Sequence, residues 1–158
     1  MSWAALEAGA PELARQGWAR FERTHVALLG TVRQDGTPRI SPVEPFVIGG
    51  QLVFGVMRSP KWDDLRRDPR VVLHSSVSDI NGSEGEFKVY GRATITDDPA
   101  ARNHPDAWWS SRPPDKAGVF AMDISEAVLV AWNPEFDRMQ TTRWTADRGA
   151  SSGVRTYP

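Results

Sequence analysis

A hydroxyl group and two basic side chains come together at Arg58-Ser59-Pro60-Lys61, where a short helix is predicted to begin. Ser59 is suited to the position that caps a helix, and Pro60 to the first turn, where no backbone N–H is needed. An anion docked there would meet free backbone N–H groups, a hydroxyl and two cations. The pattern therefore predicts a phosphate site. Its common structural alternative is an ordinary serine-proline helix start with solvated cations.

A second group of candidate residues follows an earlier strand, in the run Arg39-Ile40-Ser41-Pro42-Val43. Because side chains alternate along a strand, Arg39, Ser41 and Val43 share one face. Proline frees neighbouring backbone groups from the sheet ladder, and a planar heterocycle could use those groups as hydrogen-bond partners. The alternative is an edge strand with a bulge. We expect Arg39 to be exposed unless an acidic group pairs with it, so that Arg39→Ala should spare the fold.

The elements that must position these residues are predicted from hydrophobic periodicity and turn residues. Asp35-Gly36 and Gly49-Gly50 are typical of tight hairpins, because the central positions of such turns need positive φ. Helices are predicted over residues 11–23 and 60–67, with a further one over 99–110 that Pro105 interrupts. Strand patterns cover residues 26–33, 37–48, 51–57, 71–77, 87–95 and 119–132, with a bend near Ser125. Short connections between six strands favour a mainly β protein with short helices, built on a six-stranded antiparallel barrel.

The chain of 158 residues suits a single domain, which we divide into an N-terminal helix over 1–24, a barrel over 25–132 and a tail over 133–158. The tail is polar and is predicted to be irregular, with a short strand near residues 139–144. Phe136, Met139, Trp144 and Tyr157 are more large apolar groups than a disordered tail usually carries. We therefore expect residues 136–144 to pack on the barrel or on a partner subunit, near the candidate binding residues.

Composition excludes several classes of function. A net charge of -1 gives no electrostatic reason to bind nucleic acid or an anionic membrane. No apolar run is long enough to span a bilayer, and the N-terminus lacks the basic segment of a secretory signal, so a cytoplasmic protein is expected. The chain has no cysteine, and His25, His74 and His104 lack metal-ligand spacing, so we expect no metal site. His74, in an apolar strand, is predicted to be a hydrogen-bonded core histidine.

Residues 12–97 resemble the pyridoxamine 5′-phosphate oxidase-like flavoproteins, the FMN-binding split barrels. The resemblance implies a homodimeric split β-barrel with the flavin in a groove between the subunits. It implies that Arg39 and its neighbours contact the flavin ring and phosphate, and that the Ser-x-Lys at the helix start binds the phosphate. The positions that carry over are Arg39, Ile40, Ser41, Ser59 and Lys61, with Val56, Met57 and Arg58 as weaker candidates.

Several residues depart from the pattern of the authentic pyridoxamine phosphate oxidases. Pro60 stands where those enzymes have an arginine, Glu44 near the place of a lysine and Glu86 nearest to a glutamine. The chain also ends Arg155-Thr156-Tyr157-Pro158, without the substrate-binding ending of those enzymes. The chain is therefore not expected to be a vitamin B6 oxidase. It looks more like relatives that use FMN or the deazaflavin coenzyme F-420, of which a few bind haem.

These observations predict an FMN-binding oxidoreductase that transfers a hydride to or from a small substrate. No side chain is identified as the catalytic acid or base. The alternatives are a reductase of the same fold that uses the deazaflavin coenzyme, and a non-catalytic barrel that binds flavin or haem. Arg138 and Arg143 in the tail are candidates for contacting cofactor or substrate anions. A tail that serves only as a dimer clasp is the other alternative.

Overall fold

The structure is a computed structural model that describes residues 1–157. Within that range it has nine strands, four α-helices and one short 3₁₀ helix. The helices are α1 Trp3–Gly9, α2 Pro11–Thr24, α3 Pro60–Arg67, α4 Pro99–Arg102 and the 3₁₀ helix Trp108–Ser111. The strands are β1 Ala27–Val32, β2 Pro38–Val43, β3 Pro45–Ile48, β4 Gln51–Met57, β5 Arg70–Ser75, β6 Glu86–Thr96, β7 Ala117–Trp132, β8 Arg138–Thr145 and β9 Gly149–Thr156.

All strand pairs are antiparallel, and the order along the sheet is β2-β1-β5-β6-β7-β4-β3. The long strand β7 divides between two neighbours. Its first residues pair with β4, and its last residues, from Glu126 onward, pair with β8. The register against β6 shifts at Ser125, which is the predicted bend. A bulge re-aims a strand, so β7 can leave the barrel and carry the β8–β9 hairpin.

Strands β2 and β3 close the barrel. They lie at opposite ends of the sheet order, yet Glu44 alone separates them in the chain. The prediction of one strand over 37–48 is therefore wrong. The residue before a proline is restricted and Pro45 cannot donate to a ladder, so the chain turns at Glu44 and changes its partner from β1 to β4.

The mainly β fold class is confirmed, although the described residues form nine strands rather than six. Helix α3 and strand β4 have the predicted boundaries. The hairpin turns are confirmed by positive φ at Gly36, Gly49 and Gly50. Helix α1 is an addition: at seven residues it is too short to show a clear periodicity, and Ser2 caps it by accepting a hydrogen bond from the Ala5 N–H.

The expectation of an irregular tail is wrong, while the short strand predicted near residues 139–144 is confirmed. Strands β8 and β9 form an ordered hairpin, because β7 extends past β4 and offers a free edge to pair with. Trp144 on β8 is buried in the main core and packs against Gly9 of α1. The tail is therefore part of the folded barrel assembly.

The core lies inside the barrel and under the two N-terminal helices. Phe21 of α2 and Phe87 of β6 meet edge-to-face with ring centroids 5.3 Å apart. Gly17 allows this approach, since a Cβ there would lie 2.4 Å from the Phe87 ring. Within residues 1–157, no helix is both long and apolar enough to cross a membrane.

Candidate functional site

The start of α3 has the form that the Ser59-Pro60-Lys61 pattern predicts, with one difference. Ser59 occupies the N-cap with extended backbone and Pro60 begins the helix. The Ser59 hydroxyl does not cap the helix but donates to the Met57 carbonyl at 3.0 Å. Pro60 has no N–H, and the N–H groups of Trp62 and Asp63 donate to the Ser59 carbonyl at 2.8 and 3.3 Å. The backbone N–H of Lys61 is therefore the first-turn group that remains for an anion.

Lys61 connects the two groups of candidate residues. Its Nζ donates to the backbone carbonyl of Pro42 on β2 at 3.2 Å, so the ammonium group lies between α3 and β2. Burial desolvates this ammonium group and lowers the pKa of Lys61 below its usual value. An anion at the helix start would offset that desolvation, which makes Lys61 the best-placed cation for a phosphate.

Arg58 is oriented differently from Lys61. Its guanidinium lies over the indole of Trp62, 3.9 Å from the ring centroid, and its Nε donates to the Asp115 carbonyl at 3.2 Å. Trp62 is buried and packs closely on Gly118, where a Cβ would lie 2.5 Å from the ring. Arg58 is thus held against the outside of α3, beside the helix start rather than over it.

Arg39 forms an ion pair with a buried carboxylate. Its Nε donates to Asp64 Oδ2 at 2.7 Å, and the same carboxylate accepts from Thr31 Oγ1 at 3.1 Å and from Arg67 at 3.2 Å. Burial alone would raise the pKa of Asp64, but the hydrogen bonds from Arg39, Arg67 and Thr31 outweigh it and the pKa is lowered. Arg39 is therefore paired rather than free on its strand face.

The remaining predicted residues separate by strand face. Ser41 is half-buried on the same face as Arg39, whereas Ile40 is 71% exposed on the opposite face. The side chain of Val56 is fully buried in the core and can offer a ligand only its backbone. Met57, the next residue, is 57% exposed at the end of β4.

A cavity of about 320 Å³ opens beside Lys61, and we call it the lysine groove. Its lining residues are Val26, Pro42, Val43, Glu44, Gly55, Met57, Ser59, Lys61 and Trp108. It is basic at the α3 end and apolar along its floor. Gly55 shapes that floor, because a Cβ there would lie 2.2 Å from Trp109 and 3.0 Å from Trp108.

Arg39 lines a different cavity, on the other side of Pro60. This arginine cavity, of about 460 Å³, is lined by Arg33, Gln34, Asp35, Arg39, Pro60, Asp63, Asp64 and Arg67. Three arginines face three aspartates there, so it carries no net positive charge. The structure thus brings Ser59, Lys61 and Met57 together in one groove and leaves Arg39 in the neighbouring cavity.

Two further residues noted in the sequence bond to each other. His74 Nε2 lies 2.7 Å from Glu86 Oε2, and its Nδ1 lies 2.6 Å from the Ser75 carbonyl, as expected for a hydrogen-bonded histidine. Lys88 donates to the other Glu86 oxygen at 2.8 Å. Burial alone would raise the pKa of Glu86, but the hydrogen bonds from Lys88 and His74 outweigh it, so the pKa is lowered. Glu86 does not line the lysine groove.

Sequence reasoning did not identify Val26, Glu44 and Gly55 as groove residues, and it included Pro42 and Val43 only as part of the candidate run on β2. The proline pair around Glu44 was a usable signal, since it marks the corner where β2 leaves β1. A glycine among large apolar residues of β4 was another, because it indicates close approach of a neighbouring group. Neither signal reveals which group approaches.

The fold and the groove define an antiparallel split barrel with the start of α3 and the Lys61 ammonium group at its rim. The family model described as pyridoxamine 5′-phosphate oxidase matches residues 15–131, and the chain belongs to this family. No curated protein matches the sequence.

Solved structures share the fold at low sequence identity. PhzG from Burkholderia lata 383, in complex with tetrahydrophenazine-1-carboxylic acid, is 11% identical over 91% of this chain and 90% of that chain, with a TM-score of 0.66. A pyridoxamine 5′-phosphate oxidase-related, FMN binding protein from Nostoc punctiforme is 15% identical over 99% and 100%, with a TM-score of 0.61. A heme binding protein from Mycobacterium smegmatis is 14% identical over 90% and 88%, with a TM-score of 0.57. Such identities establish the shared fold alone.

Proposed function

We propose that the protein is an FMN-dependent oxidoreductase that acts as a homodimer on a small-molecule substrate. One observation carries this proposal: the uncapped start of α3 and the half-buried ammonium group of Lys61 meet at one end of a largely apolar groove. A phosphate fits the helix start beside the Lys61 ammonium group, and a planar apolar ring fits the groove. The FMN-binding protein of the same fold is consistent with this reading.

Each part of the groove has a distinct role in this proposal. Lys61 binds the phosphate through its ammonium group and its backbone N–H, and Ser59 holds the chain before the helix through its bond to Met57. Val43 and Trp108 form the apolar floor on which a ring would lie. Bound FMN supplies hydride transfer at its isoalloxazine ring, while the protein binds and orients it.

Charge favours FMN over the deazaflavin coenzyme. The polyglutamate tail of that coenzyme needs a basic path beyond the phosphate, and the neighbouring arginine cavity balances its cations with Asp35, Asp63 and Asp64. Haem is less well supported, because the groove-lining residues of the described chain include no histidine to ligate iron. A single phosphate with a compact ring system fits best.

The size of the groove supports a homodimer. A volume of about 320 Å³ is near the lower end of small-molecule sites, which span roughly 300–1,000 Å³, so a second subunit would complete the enclosure. Ile40, Leu28 and Met57 are exposed apolar side chains on or beside β1 and β2. Covering them with a second copy would bury an apolar surface that is otherwise left in water.

The visible spectrum of the purified protein tests the proposal, since FMN, deazaflavin and haem absorb differently. Titration of the cofactor-free protein should show tight binding of FMN and at least tenfold weaker binding of riboflavin, which lacks the phosphate. Oxidation of NADPH by the FMN-loaded protein then separates an enzyme from a binding protein. Equal affinity for FMN and riboflavin would remove the phosphate from the helix start and overturn the proposal.

A further inference from the structure

A second cavity, of about 380 Å³, adjoins the lysine groove, because Glu44 lines both. Helix α2 forms one side of it, and the β2–β3 corner forms another. Trp18, Phe21 and Glu22 of α2 line it, together with His25, the residue that follows the helix. Phe21 and Glu22 lie three and four residues after Trp18, so the three side chains share one face of the helix.

Aromatic rings in fixed positions form the walls of this cavity. Phe46 of β3 meets Trp109 edge-to-face, with ring centroids 5.2 Å apart and planes at 84°. Trp18 meets Trp3 in the same way at 5.7 Å. Trp3 and Trp109 are themselves fully buried, so the two wall rings are held by the core and the cavity is formed in advance of any ligand.

The charges around the cavity are negative and uncompensated. Most of the 20 Asp and Glu side chains form an ion pair or a hydrogen bond within residues 1–157. The five that form neither are Glu22, Glu44, Asp63, Asp97 and Asp106. Three of these five line this one cavity, where His25 is the only basic lining residue. We call it the acidic aromatic cavity.

We propose that the acidic aromatic cavity binds the cationic group of an organic ligand, either an alkylammonium group or an N-alkylated aromatic ring. Aromatic faces attract cations through their quadrupole, and unpaired carboxylates add favourable charge. A hard metal ion is disfavoured, because it requires several converging oxygens and the described residues contain no cluster that supplies them.

The position of the cavity gives the ligand a role, and this step rests on the proposed function. If a flavin phosphate lies at Lys61, the acidic aromatic cavity adjoins the flavin groove, because Glu44 lines both. The cation would then belong to the substrate. The substrate class is accordingly a cationic amine, opposite in charge to a phosphate ester, and Glu44 would repel an anion.

The experiment measures binding of benzyltrimethylammonium to the full-length protein by calorimetry at low ionic strength, with benzenesulfonate as the anionic counterpart. We expect the cation to bind at least tenfold more tightly than the anion. Glu22→Gln and Asp106→Asn should each weaken cation binding about twofold to fivefold, the scale of exposed ion pairs and cation–π contacts. Phe46→Leu should weaken it by a similar factor.

Asp97→Asn is the matched control, since Asp97 is also an unpaired carboxylate but does not line the cavity. It should leave cation binding unchanged. Equal binding of the two probes, or an equal loss in Asp97→Asn and Glu22→Gln, would overturn the proposal. FMN titration of the same samples keeps the two proposals separate. Flavin binding without cation binding defeats this inference alone, and the reverse result defeats the proposed function alone.

Discussion

The guanidinium of Arg39 donates from Nε to the buried carboxylate of Asp64 across 2.7 Å, which ties β2 to α3. Asp64 is also bonded to Thr31 of β1 and to Arg67 at the end of α3. This carboxylate therefore joins two strands to the helix whose first turn forms the candidate phosphate site. Its consequences for stability and for ligand binding can be separated by mutation.

Arg39→Ala should destabilise the protein by about 1.5–3 kcal/mol, the range for hydrogen bonds to charged groups, because Asp64 would lose its shortest bond. This differs from the expectation that Arg39 could be removed without affecting the fold. Urea denaturation measures the change. Arg33→Ala is the control, since Arg33 is exposed in the same cavity and should change stability by less than about 0.5 kcal/mol. Equal stability of the two variants would show that the ion pair makes no net contribution.

Asp64→Asn should change how the free energy of unfolding depends on pH. The folded pKa of Asp64 is lowered from the unfolded value of about 3.9. Its carboxylate therefore stabilises the fold above pH ~4, and this stabilisation is lost as the pH falls through the folded pKa. The difference in free energy of unfolding between wild type and Asp64→Asn should shrink below pH ~4. A difference that stays constant from pH 7 to pH 3 would contradict this assignment.

Lys61→Ala should weaken FMN binding by about 1–3 kcal/mol while changing riboflavin binding much less, because the ammonium group acts on the phosphate. Ser59→Ala should cost less, since its hydroxyl donates to the Met57 carbonyl. Arg66→Ala, on the same helix but outside the groove, serves as the control. Fluorescence titration with both flavins measures the effects. An unchanged affinity for FMN in Lys61→Ala would move the phosphate elsewhere.

Ile40→Glu should convert the proposed dimer to a monomer, because it places a charge on the exposed apolar surface of β2. Light scattering at micromolar concentration measures the mass of both proteins. Ile80→Glu is the control, since Ile80 is 98% exposed in the loop between β5 and β6 and its replacement should leave the proposed dimer intact. A monomeric wild-type protein would disprove the proposed homodimer outright.

Trp144→Ala should destabilise the protein by about 3–5 kcal/mol, the usual cost of truncating a buried aromatic side chain. Val154→Ala on the exposed strand β9 should have almost no effect.

Truncation after Asn133 should lower the melting temperature, because it removes β8 and uncovers the edge of β7. A stable truncated protein that lost only turnover would instead assign the tail to the substrate site.

The two tail arginines show that residue type alone does not predict a binding role. Arg143 forms an ion pair with Glu126 at 3.2 Å, across the β7–β8 ladder. Arg138 lies 3.8 Å from the adjacent Asp137. Both arginines were candidates for binding anions, and both lie beside a carboxylate. The partner of Arg143 is 17 residues away in the chain, so the sequence did not reveal it.

Local chemistry was readable from the sequence because it depends on neighbours in the chain. Gly36, Gly49 and Gly50 marked the turns through positive φ, and Ser59-Pro60 marked the start of α3. Tertiary structure decided the rest, since it depends on pairings between distant residues. The chain turns at Glu44 because β3 pairs with β4, and Arg39 is paired because the buried carboxylate of Asp64 lies next to it. Strand β8 is ordered because β7 extends beyond β4 and pairs with it. Glu22, Glu44 and Asp106 share a cavity for the same reason: closure of the barrel brings together residues that no local pattern connects.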